Sequence, residues 1–144
     1  MPVGAGRTAA WAKTGDICLY ISAKGPPSEA DWSEYLVWLK EAAKPTSLKP
    51  EVRTLVYDRS TGPNAAQRKQ LNDATMGWKL RVAVVTPSTI VRHMVTAMNW
   101  FKKDSYEAFA LEDLDRALTF MGTPPGLMNE VKQSIRGLAA ELDK

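Results

Sequence analysis

Cysteine and histidine are nearly missing from this sequence, which holds one of each in 144 residues. A single cysteine, Cys18, excludes a disulfide within the chain and fits a reducing compartment. It lies inside an apolar run, where a thiol usually serves as a small buried hydrophobe. One histidine and one cysteine, with no acidic pair at ligand spacing, are too few for a metal site. His93 falls within a predicted helix, away from the hydroxyl-rich turns, so a nucleophilic triad has no base in reach. No apolar run approaches the ~18 residues of a membrane span, and the first residues lack the apolar core of a signal peptide. The expected location is therefore cytoplasmic. Charge of one sign is scarce as well, with 19 basic residues against 16 acidic. The basic residues are scattered, with only Arg68-Lys69 and Lys102-Lys103 adjacent, whereas nucleic-acid binding wants a stripe or patch. Gly4-Ala5-Gly6-Arg7-Thr8 lacks the Gly-Lys-Ser/Thr ending of a phosphate loop and precedes a strand. No cofactor, internal repeat or low-complexity tract is expected.

What is present is ordinary globular material, 44% hydrophobic and 24% charged, in the range of a folded domain. A chain of this length forms one domain, residues 1–144, that buries roughly two-thirds of its unfolded surface. Segments 7–13 and 16–23 read as two strands joined by the turn Thr14-Gly15-Asp16. Ser28 opens a helix, with Asp31 at the capping-box position and Glu29 where the helix dipole favours acid. Its apolar stripe is Trp32, Tyr35, Leu36, Leu39 and Ala43. Val37 and Trp38 fall off that stripe, which makes Trp38 a candidate partner contact.

The stretch from Thr54 to Gln67 organises the rest. Thr54 to Tyr57 is a buried strand, the polar cluster Asp58 to Asn64 breaks the chain, and a helix follows. Asn64 and Gln67 have the spacing of a capping box, and Gly77 ends that helix. Segment 80–85 is apolar on both faces, as in a central strand covered from both sides. Thr86-Pro87 then reads as N-cap and first helical residue. The buried face of that helix is Ile90, Val91, Met94, Val95, Met98 and Phe101, with His93 and Trp100 on a flank. A strand over 106–110 comes next, followed by a helix marked by Leu111, Leu114, Leu118 and Met121. The final helix, about 125–143, has the stripe Leu127, Val131, Ile135, Leu138 and Leu142. The order β-β-α-β-α-β-α-β-α plus one more C-terminal helix is that of an α/β sandwich on a mixed sheet of about five strands.

Asp58-Arg59-Ser60-Thr61-Gly62 resembles the Asp-Ser-Ser-Gly motif after the third strand of the bacterial anti-anti-sigma factors, members of the STAS family. The segments 62–68, 80–86 and 91–97 are similar in wording to uncharacterised STAS-like proteins of myxobacteria. The resemblance covers the chain from about residue 7 to residue 121. It implies a STAS-like fold without catalysis, acting in signalling through protein–protein contacts. It also implies a phospho-acceptor at Ser60 or Thr61, and a kinase or anti-sigma-like regulator as partner. Arg59 is one residue more than the motif has, Pro63-Asn64 replaces its apolar helix start, and the C-terminal helix is an addition.

The interaction surface expected from this reading comprises Asp58, Arg59, Asn64, Arg92, His93, Thr96, Trp100 and Trp38. The partner is another protein or a second copy of the chain. Phosphorylation would add about −1.5 to −2 charge beside a helix N-terminus, which tolerates it, while repelling an acidic partner. The alternatives are a small apolar or lipid ligand held in a groove, as in the CRAL-TRIO fold, and a hydrolase. The first requires a cavity of roughly several hundred cubic ångströms, and the second requires His93 beside a hydroxyl.

Overall fold

The computed structural model describes residues 7–23, 25–59, 62–98 and 106–143. β1 (Ala9–Thr14) and β2 (Ile17–Ser22) form the expected hairpin, with Trp11 opposite Tyr20. Thereafter come α1 (Glu29–Ala42), β3 (Glu51–Tyr57), α2 (Ala65–Ala74), β4 (Lys79–Val85), α3 (Thr89–Met98) and β5 (Tyr106–Phe109). A 3-10 turn at Leu111–Asp113 leads into α4 (Leu114–Phe120), and α5 (Pro125–Leu142) follows. The strands lie in the order β1-β2-β3-β4-β5, with β2 to β5 parallel. The chain is thus an α/β protein on a mixed, five-stranded sheet, in the element order that the apolar patterning predicts.

Because the strand order never reverses, right-handed crossovers bring α1, α2 and α3 to one face. The strand period of two divides the core accordingly. Cys18, Tyr20, Val56, Val82, Val84 and Tyr106 face α1 to α3, while Ile17, Leu19, Leu55, Ala83, Val85 and Phe109 face α4 and α5. All five residues of the α5 stripe, Leu127 to Leu142, pack into that second layer. Thr14 on β1 ties it further by a 3.0 Å hydrogen bond to Ser134.

The first layer is built on aromatic rings. Tyr35 sits 4.7 Å from Tyr20, 5.4 Å from Trp32 and 5.6 Å from Trp11, ring centre to ring centre. Such tilted contacts are favoured over face-to-face sandwiches by the ring quadrupoles. Trp38 stacks on Tyr35 at 6.1 Å and is half-buried, so its ring flanks the core. Its neighbour Val37 is the residue left 58% exposed.

Four local expectations change. β1 starts at Ala9, because Arg7 leaves the strand to pair with Asp31 (3.2 Å) and to lie over the Trp11 ring (5.2 Å). Ser28 caps α1 through the Asp31 amide (3.1 Å), yet the Asp31 carboxylate does not return to the Ser28 amide. That amide donates to the Thr8 hydroxyl (2.8 Å), and Thr8 in turn donates its own amide and hydroxyl to Asp31 at 2.7 and 2.6 Å. Ser88, not Thr86, caps α3, its hydroxyl accepting from the Val91 amide (3.2 Å). Ile90 is 73% exposed, so the buried face of α3 is carried by Val95, with Val91 packed beside it. Phe101 and Trp100 lie outside the described residues, as do the side chains of Ala97 and Met98.

Candidate functional site

Three apolar strands end on polar residues, and all three meet. β2 ends on Ser22, Asp58 follows β3, and Thr86 follows β4. Parallel pairing in register brings these ends side by side. The Ser22 hydroxyl donates to Asp58 Oδ1 (3.0 Å), and the Thr86 hydroxyl donates to Oδ2 (2.9 Å). The Asp58 amide donates to the Val85 carbonyl (2.8 Å), which extends the β3–β4 ladder by one rung. Ser22 and Thr86 are fully buried and Asp58 is 1% exposed. Asp58 is therefore not part of an outward surface, contrary to its reading in the sequence. A charged acceptor with hydroxyl donors on both oxygens is well satisfied despite burial, and it latches three strand ends together.

The loop beyond Asp58 is held on each side of Ser60 and Thr61, which themselves lie outside the described residues. On the near side the half-buried Arg59 donates from Nε to the Ser22 carbonyl (3.0 Å) and from Nη1 to Asp143 (2.9 Å) just past α5. On the far side Gly62 is buried in a left-handed conformation (φ +67°). A side-chain Cβ there would stand 3.6 Å from the Asp58 carboxyl carbon. Asn64 then closes the expected capping box, with Gln67 N to Asn64 Oδ1 at 2.8 Å and Asn64 N to Gln67 Oε1 at 2.9 Å. Gln67 is itself buried and donates to the Pro27 carbonyl (2.7 Å), and its own carbonyl accepts from Trp32 Nε1 (3.1 Å). The start of α2 is thereby bolted to the loop before α1.

Of the α3 residues expected on the surface, His93 and Thr96 are exposed and Arg92 is half-buried. Arg92 Nη1 donates to the Thr86 carbonyl (2.9 Å) and Thr96 Oγ1 to the Arg92 carbonyl (3.0 Å), so both are partly spent within the fold. His93 remains an outward-facing ring. Tyr20, close to the latch, is another buried group. Burial, with the Asp58 and Asp31 carboxylates adding to it, pushes its phenol far above the ordinary range, so it stays neutral. Burial likewise pushes the Cys18 thiol up to about 11, against a weak opposing pull from Lys13. A thiol so placed is a poor nucleophile.

Between α2 and α3 a slot of about 100 Å³ opens onto the sheet. Val56, Val82 and Val84 form its floor, Leu71 and Val91 its walls, and Gly62 and Pro63 its upper end. Sequence patterning marks Val56, Val82, Val84 and Val91 as core and Gly62 and Pro63 as loop, and the gap between the two helices has no signature along the chain.

Neither Ser22 nor Thr86 can meet a substrate at zero exposure, and no group of three or more potential metal ligands occurs among the described residues. No helix among them is long and apolar enough to cross a membrane. The fold and site together define an α/β sandwich with a latched carboxyl edge. Compared with known proteins, the chain matches no family model, no curated protein and no solved structure.

Proposed function

We propose that this chain is a non-catalytic regulatory module of STAS type, acting in the cytoplasm, that recognises a partner protein through the loop following β3. The Asp58 latch carries the reading. It spends a buried carboxylate and two buried hydroxyls on fixing the strand end from which that loop departs. A preorganised loop binds with less ordering cost than a free one, which favours recognition over chemistry at this edge. The element order and the Asp58-Arg59-Ser60-Thr61-Gly62 resemblance support the STAS assignment. Phosphorylation of Ser60 or Thr61 then serves as the switch, since the added charge falls between Arg59 and the start of α2.

The test is quantitative co-purification from the native host with the wild-type chain, Ser60→Asp, Trp100→Ala and the remote control Val37→Glu. Wild type and Val37→Glu should retain the same partner, and Ser60→Asp should lose it by about tenfold or more, equivalent to about 1.4 kcal/mol. Equal recovery by all four proteins would remove the loop from consideration.

A further inference from the structure

We propose that the slot between α2 and α3 is a binding site for a short aliphatic carboxylate, with its tail on the valine floor and its head on Arg68. The proposal stands apart from the docking reading. The slot is apolar along its floor and walls and encloses about 100 Å³. An aliphatic cavity of about 150 Å³ stays dry and accepts benzene, so this smaller one suits a branched tail of about four carbons. A long lipid chain exceeds it, and a nucleotide finds no polar floor to match.

Arg68 supplies the sign of the head group. It lies on the first turns of α2 and lines the slot, half-buried. Among the described residues its side chain makes one hydrogen bond, from Nη1 to the Pro63 carbonyl (2.8 Å). Among the described residues it forms no ion pair, a lack shared by Arg92 and Arg136, whereas Arg7, Arg53, Arg59, Arg81 and Arg116 each form one; of the three, only Arg68 lines the slot. Asp58 borders the same slot, but its two oxygens accept from Ser22 and Thr86. A half-buried guanidinium beside an apolar surface, lacking a carboxylate, is complementary to an anion that brings its own apolar tail. A neutral hydrocarbon would fill the volume and leave the charge unanswered.

Ligand-observed NMR titrations with isovalerate and with isoamyl alcohol test this on the wild type, Arg68→Gln and Val91→Phe, each first shown to keep the native circular dichroism spectrum. Arg68 is on a helix surface and its replacement leaves the core intact, so that variant remains informative if Val91→Phe fails to fold. Isovalerate should bind the wild type with Kd on the order of 1 mM, as expected of so few heavy atoms. Arg68→Gln should weaken it at least about fivefold while leaving the alcohol unchanged, because only the charge is removed. Val91→Phe, which fills the slot, should abolish both. The proposal is overturned by any of three results: no saturable isovalerate binding to the wild type, equal affinity in Arg68→Gln, or undiminished binding in a folded Val91→Phe.

Discussion

Asp58→Ala should lower stability by about 4 kcal/mol, the sum of two hydrogen bonds to a charged group at about 1.5 to 3 kcal/mol each. The substitution takes the acceptor away from the Ser22 and Thr86 hydroxyls, both fully buried. For a chain of this size the midpoint of thermal unfolding should fall by roughly 12 °C. Asp58→Asn keeps the shape and one acceptor oxygen, and should cost roughly half as much because the charge assistance is gone. Urea unfolding of both variants, with the Ser22→Ala and Thr86→Ala pairs to close the cycle, measures the coupling. A loss below about 1 kcal/mol for Asp58→Ala, the size of an ordinary surface change, would mean the latch does not hold the strand ends.

The second large effect is at Asp31, which joins the entry to β1 to the start of α1. Burial alone would raise its carboxyl, but the Thr8 hydroxyl and amide, the Arg7 guanidinium and the Ser28 hydroxyl outweigh that and hold it below the ordinary value of 3.8. The folded state therefore binds this proton less readily than the unfolded state. Its contribution to stability is complete above the ordinary carboxylate range and is lost as pH falls below about 4 through the folded value. Asp31→Asn should cost about 2 kcal/mol at pH 7, through the weakened bonds to Thr8 and the lost pairing with Arg7. The gap between wild type and variant should narrow as pH falls below the ordinary carboxylate range, because the wild-type carboxyl then takes up its proton. Urea midpoints at pH 7 and through the acid range decide it, and a gap that stays constant as pH falls would assign the cost to packing.

The sheet was legible from the sequence because its strands are apolar on both faces and its helices carry stripes at three- and four-residue steps. The α5 stripe from Leu127 to Leu142 was readable for the same reason. Asp58 was misread because an aspartate in a polar loop is usually exposed, and its two partners are 36 and 28 residues away. A signal did exist. Ser22, Asp58 and Thr86 each follow the last apolar residue of a strand, and parallel pairing in register must bring such positions together. The same contact explains the misplaced cap of α3, since Thr86 is drawn inward to Asp58 and the role passes to Ser88. Ile90 entered the expected buried face on hydrophobicity and spacing, yet it is 73% exposed. The slot could not be read in advance because it depends on the separation of two helices.

The proposed docking function places the partner contact on the turn after β3. Hydrogen exchange, followed on the chain alone and in complex with the partner recovered by co-purification, tests it most directly. Added protection should appear over residues 59–68 and leave β5 and α5 unchanged. Protection confined to β5, α5 or the outer side of α1, with none over 59–68, would contradict the account.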